Sequence, residues 1–186
     1  MQLQLCLGLC VVFLCLCSGG YGQIVSRATW TRLPTHRLPR LYAPARYIIF
    51  HHTVTPPCYN PGQCLAILRS IQANHRSRRF RDIGYNFLIG GDGRIYEGLG
   101  FGIRGEHAPK YNSMSIGVAF IGNYHVTLPP GQMLQAARTL ISIAQQRRAV
   151  QPNFVLLGHC QTKSTVCPGR RLLDEISKWP RWQRHP

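Results

Sequence analysis

The chain has 186 residues, with 22 Lys and Arg against 6 Asp and Glu and a formal charge of +16. So one-sided a balance exceeds what a solubilising surface needs and points to an anionic partner. It carries no aromatic-interleaved basic motif of an RNA-binding module, so no nucleic acid is expected, and anionic bacterial surface polymers rank first.

Met1 to Cys17 is an uncharged apolar run, followed by Ser18-Gly19-Gly20. This is the apolar region and cleavage zone of a secretory signal peptide. With no Lys or Arg ahead of the run, the free amino terminus must supply the positive charge. The run is short for a membrane span and lacks a charged flank, so no membrane anchor is expected. Cleavage near Gly20 or Gly22 leaves about 165 residues, which suits one domain with a single sizeable core. Residues 1–22 are therefore assigned to the signal, 23–45 to an N-terminal arm and 46–182 to the domain, in a secreted, extracellular protein.

Removal of the signal takes four of the eight cysteines with it and leaves Cys58, Cys64, Cys160 and Cys167 for an oxidising compartment. Cys58 and Cys64 flank Pro61-Gly62, where the chain can turn back, so a short-loop disulfide fits there. The pairing of Cys160 and Cys167 stays open on this reading.

From Ile24 to Pro44 the chain is basic and dotted with proline, with Trp30 as its large anchor, and reads as an arm. Tyr47–Val54 is rich in β-branched and aromatic residues, an apolar strand of the kind buried on both faces. Leu65, Leu68 and Ile71 give a helix from Cys64 to about Arg76. Tyr85–Ile89 and Ile95-Tyr96 flank Gly90-Gly91-Asp92-Gly93, a hairpin signal, and Ser115–Ile121 is a further strand. Met133, Ala137, Leu140, Ile141 and Ala144 form one stripe of a helix over Gly131–Ala149, which Pro152 ends. Phe154–Leu157 reads as a strand running into Gly158-His159, and Arg170–Lys178 as a last helix. Strands alternating with helices imply an α/β fold, with a mixed central β-sheet flanked by helices in a single domain.

His51 and His52 close the first predicted strand, His159 follows the last, and Cys167 lies in the next loop. Two imidazoles and a thiolate suit Zn2+, and three protein ligands leave a fourth position for water, as catalytic sites require. Zinc brings the pKa of a bound water toward neutrality and polarises a carbonyl, as amide hydrolysis needs. Neighbouring strand residues face opposite ways, so His51 and His52 are not expected to share one metal. No Asp or Glu stands out as a general base, and a pocket free of carboxyl groups is expected. The competing reading pairs satisfied core histidines with a Cys160–Cys167 disulfide, and spacing alone does not choose between them.

The segments IIFHHT, DIGYNFLIGGDGRIYEG, SIGVAFIGNY, LGH and TVCPG occur in order, at separations similar to those of the peptidoglycan recognition protein family. The resemblance runs from about Trp30 to Trp179. It implies zinc at His51, His159 and Cys167, an amidase-type domain, and hydrolysis of the amide between N-acetylmuramic acid and L-alanine in bacterial peptidoglycan. Family members without the cysteine bind peptidoglycan without cutting it, and this chain keeps the cysteine. The resemblance also places Tyr85 beside the metal and Thr165 near it, as groups that orient water or stabilise the oxyanion. His52, Thr53, His75, His107 and Asn112 map onto a substrate groove, and Arg78, Arg79 and Phe80 onto the part that distinguishes stem peptides. Arg79-Phe80 matches neither the Gly-Trp nor the Asn-Phe common there. Cys160 is a second departure, since the family usually has Arg or Ser after LGH. The rival function is a non-catalytic peptidoglycan-binding or cationic bactericidal protein of innate immunity using the same groove.

Overall fold

The computed structural model describes residues 23–186, so the signal-peptide assignment falls outside the described residues. Six strands form one mixed sheet: β1 (Ile24–Val25), β2 (Ala45–His52), β3 (Phe87–Ile89), β4 (Ile95–Glu97), β5 (Ser115–Phe120) and β6 (Val150–Gly158). Their spatial order is β1-β4-β3-β5-β2-β6. Strand β2 lies between β5 and β6 and is parallel to both, and β3 pairs parallel with β5 and antiparallel with β4. Three helices, α1 (Pro61–Ser77), α2 (Gly131–Gln146) and α3 (Arg170–Ile176), cover the sheet.

Alternation along the strands sorts the core into two layers. Ile48 and Phe50 of β2 point with Val118 and Phe120 of β5 toward Met133 and Leu140 of α2 and Leu172 and Ile176 of α3. Leu88, Tyr96 and Ala119 face the other way, onto Cys64, Leu68 and Ile71 of α1. On that second face Tyr47, Ile49, Val155 and Leu157 are roofed by Ala108 and Tyr111. The odd-numbered positions of β2 therefore face the α1 side, and His51 continues that series at the carboxyl end of the strand.

Several boundaries differ from the sequence reading for identifiable reasons. Helix α1 begins at Pro61, three residues early, because Asn60 caps it by accepting from the Gln63 N–H and proline suits the first helical position. The expected Cys58–Cys64 disulfide clips this first turn to the loop before it. Helix α2 stops at Gln146 rather than Ala149, where Arg148 takes a left-handed φ of 52°. Strand β6 starts at Val150 and includes Pro152. It is an edge strand whose register against β2 shifts between Ala45 and Tyr47, and edges and bulges tolerate proline. Asn86 displaces the start of β3 to Phe87: its buried amide donates to the carbonyls of Gly100 and Ile103 and accepts from the Gly117 N–H. Helix α3 ends two residues early, at Ile176.

The arm also contributes a strand that its basic, proline-rich composition hides, since β1 pairs parallel with β4. It is locked down by Trp30, whose Nε1 donates to the Glu97 carbonyl, and by Arg27. The Arg27 guanidinium donates to Gly98 O, Leu33 O and, at 2.6 Å, the buried carboxylate of Asp82. Asp82 accepts further from Gln72 and the Ile83 N–H. Removing one member of such a pair strands the other charge. Arg27→Ala is therefore expected to destabilise the fold by about 3–5 kcal/mol, read as a lowered midpoint in urea unfolding; a loss below about 1 kcal/mol would place this pair with ordinary surface ion pairs.

Candidate metal centre

The register of two parallel strands builds the centre. Phe50 of β2 lies opposite Gly158 of β6. The next residues, His51 and His159, therefore emerge side by side at the carboxyl ends of the strands, with ring centroids 4.4 Å apart. The loop leading into α3 brings Cys167 against them, its Sγ 3.7 Å from His51 Nδ1. One donor atom from each of His51, His159 and Cys167 lies within 4.8 Å of the others. As alternation requires, His52 turns aside, and its Nδ1 accepts from the Tyr124 N–H at 3.2 Å.

The donor set fits a divalent cation. Both ring nitrogens of His159 are buried and have no hydrogen-bond partner, as has His52 Nε2; leaving a nitrogen so costs free energy, and a metal bond would offset it for one nitrogen of His159. Burial, then the nearby Lys163 and His52, hold the His159 pKa down to about 4, so the imidazole is neutral and one ring nitrogen offers a lone pair. Burial, then His107, His159 and His52, lower that of His51 as well. Burial pushes the Cys167 thiol up to about 12, against the smaller pull of a backbone hydrogen bond with His52. A thiolate forms there once a cation takes the place of the proton. Cys160 and Cys167 are both free thiols, so the alternative Cys160–Cys167 disulfide is not what this structure holds.

Behind His51 runs an ordered chain of hydrogen bonds. His51 Nε2 lies 3.0 Å from His107 Nδ1, His107 Nε2 lies 3.4 Å from Ser115 Oγ, and Ser115 Oγ donates to the Tyr111 carbonyl at 2.8 Å. Because that carbonyl only accepts, Ser115 spends its proton there and accepts from His107. His107 then accepts from His51, which leaves His51 Nδ1 as the bare nitrogen facing Cys167. His107 is itself pinned: its N–H and that of Ala108 donate to Asn112 Oδ1, and its ring packs flat on Gly117, where any side chain would collide with it.

A cavity of about 330 Å3 opens onto the three ligands. Its walls include His52, Thr53, His75, Arg78, Phe80, Tyr85, His107 and Thr165. Tyr85 packs 5.3 Å from His51 and 5.4 Å from His75, ring to ring, and burial raises its pKa, so the phenol keeps its proton. Thr165 Oγ1 accepts from the Cys167 N–H at 3.3 Å and so shapes the loop that presents the thiol. His75, held down to about 4 by burial and then by Arg78, accepts from the Gly84 N–H.

Two residues mapped to the groove are not part of its wall. Arg79 sits exposed just past α1 with a left-handed φ of 67°, closing the helix end through its N–H to the Arg76 carbonyl. Asn112 is spent on the two N–H groups around His107. Glu106 and Lys163 do line the cavity, and sequence reasoning passes over both. The pocket is thus not free of carboxylates, contrary to expectation. Adjacency of Glu106 to His107 is the signal that could have found it.

Residues 41–170 match the family model described as N-acetylmuramoyl-L-alanine amidase. A peptidoglycan-recognition protein of Drosophila simulans is 67% identical over 100% of both chains, and its namesake in Drosophila melanogaster is 65% identical over the same span. The chain belongs to the peptidoglycan recognition protein family. Peptidoglycan-recognition protein LB of Drosophila melanogaster is 45% identical over 85% of this chain and 69% of its own. Among solved structures, wild-type Drosophila PGRP-LB superposes with a TM-score of 0.84 at 44% identity, over 87% of this chain and 96% of that one. A human member, PGRP-IBETAC in complex with glycosamyl muramyl pentapeptide, gives 0.83 at 38% identity, over 87% and 98%. The fold and family implied by the sequence motifs are those found.

If His107 fixes the tautomer of His51, His107→Phe keeps a ring over Gly117 but removes the acceptor. Zinc affinity, measured by competition with a chelating dye, is expected to fall about 10–100-fold, while an unchanged affinity would make the contact a packing feature alone.

Proposed function

We propose that the protein is a secreted, zinc-dependent N-acetylmuramoyl-L-alanine amidase that binds and hydrolyses bacterial peptidoglycan as part of innate immunity. The observation that carries this reading is the convergence of His51, His159 and Cys167, with the two unpartnered nitrogens of His159, at the floor of an open cavity. A zinc ion held by these three would supply a water of near-neutral pKa and polarise the scissile carbonyl.

The remaining chemistry belongs to the chain's own side chains. Tyr85 keeps its proton and presents a hydroxyl at the cavity wall, positioned to donate to the oxygen that gains negative charge when the amide carbon becomes tetrahedral. Thr165, on the Cys167 loop, offers a hydroxyl for the carbonyl or the incoming water. Arg78 and Lys163 supply positive charge for carboxylates of the stem peptide. His107, which lines the groove as expected, also holds His51 in the ligating tautomer. The excess positive charge draws the enzyme to the anionic bacterial envelope, which steers association without setting specificity.

Support for the substrate class comes from relatives. A mutant of Drosophila PGRP-LB was solved in complex with tracheal cytotoxin, and PGRP-LE, of 36% identity, with the same molecule, a monomeric diaminopimelic acid-type peptidoglycan. No helix among the described residues is long and apolar enough to cross a membrane.

Release of stem peptide from purified muropeptides tests the reading. Wild type is expected to release it in a zinc-dependent way, Cys167→Ser to lose release, and Tyr85→Phe to lose about 100-fold in kcat while still binding zinc. Binding without release by wild type would replace the enzyme with a recognition protein.

A further inference from the structure

The cavity lining contains one acid that stands against the excess of cations, Glu106. Three of the six acids, Asp82, Asp92 and Glu175, are engaged in ion pairs. Glu106 makes no ion pair among the described residues, although it shares the cavity with Arg78 and Lys163. Its Oε2 accepts from the Arg81 N–H at 2.9 Å, which fixes the head group while leaving most of its lone pairs free.

An apolar plate adjoins it. Phe80 directly precedes Arg81, whose N–H holds the Glu106 carboxylate, and Phe80 and Glu106 both line the cavity. A flat ring and an anchored carboxylate lining one cavity match an alkylammonium, with the methylenes on the ring and the charge on the carboxylate. A purely anionic ligand would instead be repelled here. Arg78, whose guanidinium lies 5.8 Å over the same ring, supplies the opposite charge, so this end of the groove is bipolar.

We infer that Glu106 is a specificity-determining residue that binds the free side-chain ammonium of the stem peptide's diamino acid. The inference rests on the peptidoglycan reading and adds to it which chemical group the groove selects. It also accounts for a carboxylate beside the metal centre without giving it the role of a base. Amidation or crosslinking of that amine removes its charge, so the groove prefers uncrosslinked stems.

Calorimetric titration of the full chain carrying Cys167→Ser, so that ligand is not consumed, tests this with three synthetic muramyl tripeptides. They end in L-lysine, Nε-acetyl-L-lysine and L-norleucine. The lysine peptide is expected to bind about tenfold more tightly than the other two, and this preference to vanish in the same chain with E106Q, whose amide still accepts from Arg81. Equal affinity for all three peptides, or a preference that survives E106Q, overturns the inference and leaves the peptidoglycan reading standing. Binding of none of them by either protein overturns both.

Discussion

The parallel pairing of β2 with β6 is the constraint on which the site depends. It sets Phe50 against Gly158, and the residues one step further on are the two histidines. A slip of one residue would send one imidazole into the layer of Ile48 and Phe50 and leave the other alone at the surface. The register is held by what each face buries: Phe50 and Leu156 under α2 and α3, Ile49 and Leu157 under Ala108 and Tyr111. Ligands a hundred residues apart in sequence are thus placed by core packing, and the carboxyl ends of parallel strands are where an open α/β sheet leaves room for a ligand.

Cost and use meet at the same atoms. Burial makes His51 and His159 poor bases and Cys167 a poor acid. In a metal-free site that combination leaves polar atoms without partners; around a divalent cation it becomes two neutral imidazoles and a thiolate. The chain from His51 through His107 and Ser115 to the Tyr111 carbonyl extends this order outward and leaves His51 Nδ1 as the bare nitrogen facing Cys167. The rest of the groove is charged differently, with Arg78, Lys163 and Glu106 all in its lining.

Much of this is legible from residues. The apolar runs locate β2 and β5, the periodicity locates α1 and α2, and strand parity separates His51 from His52. The ligand trio is within reach but undecided until the family motifs are weighed, because residues so far apart leave no local spacing to read. Other features are hidden by long-range physics. Strand β1 exists because Arg27 and Trp30 anchor the arm to Asp82 and Glu97, and nothing local in that basic stretch signals it. His107 reads as a groove residue, and only its neighbours reveal that it supports His51. Arg79 attracts notice for its charge, yet it sits exposed in the left-handed turn past α1 and is not in the cavity wall. Glu106 escapes notice when acids are sought as bases rather than as ligands for a cation.

The central claim is that these three side chains form one metal site with a single thiolate. Titrating the metal-free protein with cobalt(II), a spectroscopic stand-in for zinc, tests it most directly. The account predicts one cobalt per chain in a tetrahedral site, with a thiolate-to-metal charge-transfer band that Cys167→Ser abolishes and Cys160→Ser leaves in place. A band that instead depends on Cys160, or no cobalt binding by a chain whose thiols are fully reduced, would contradict it.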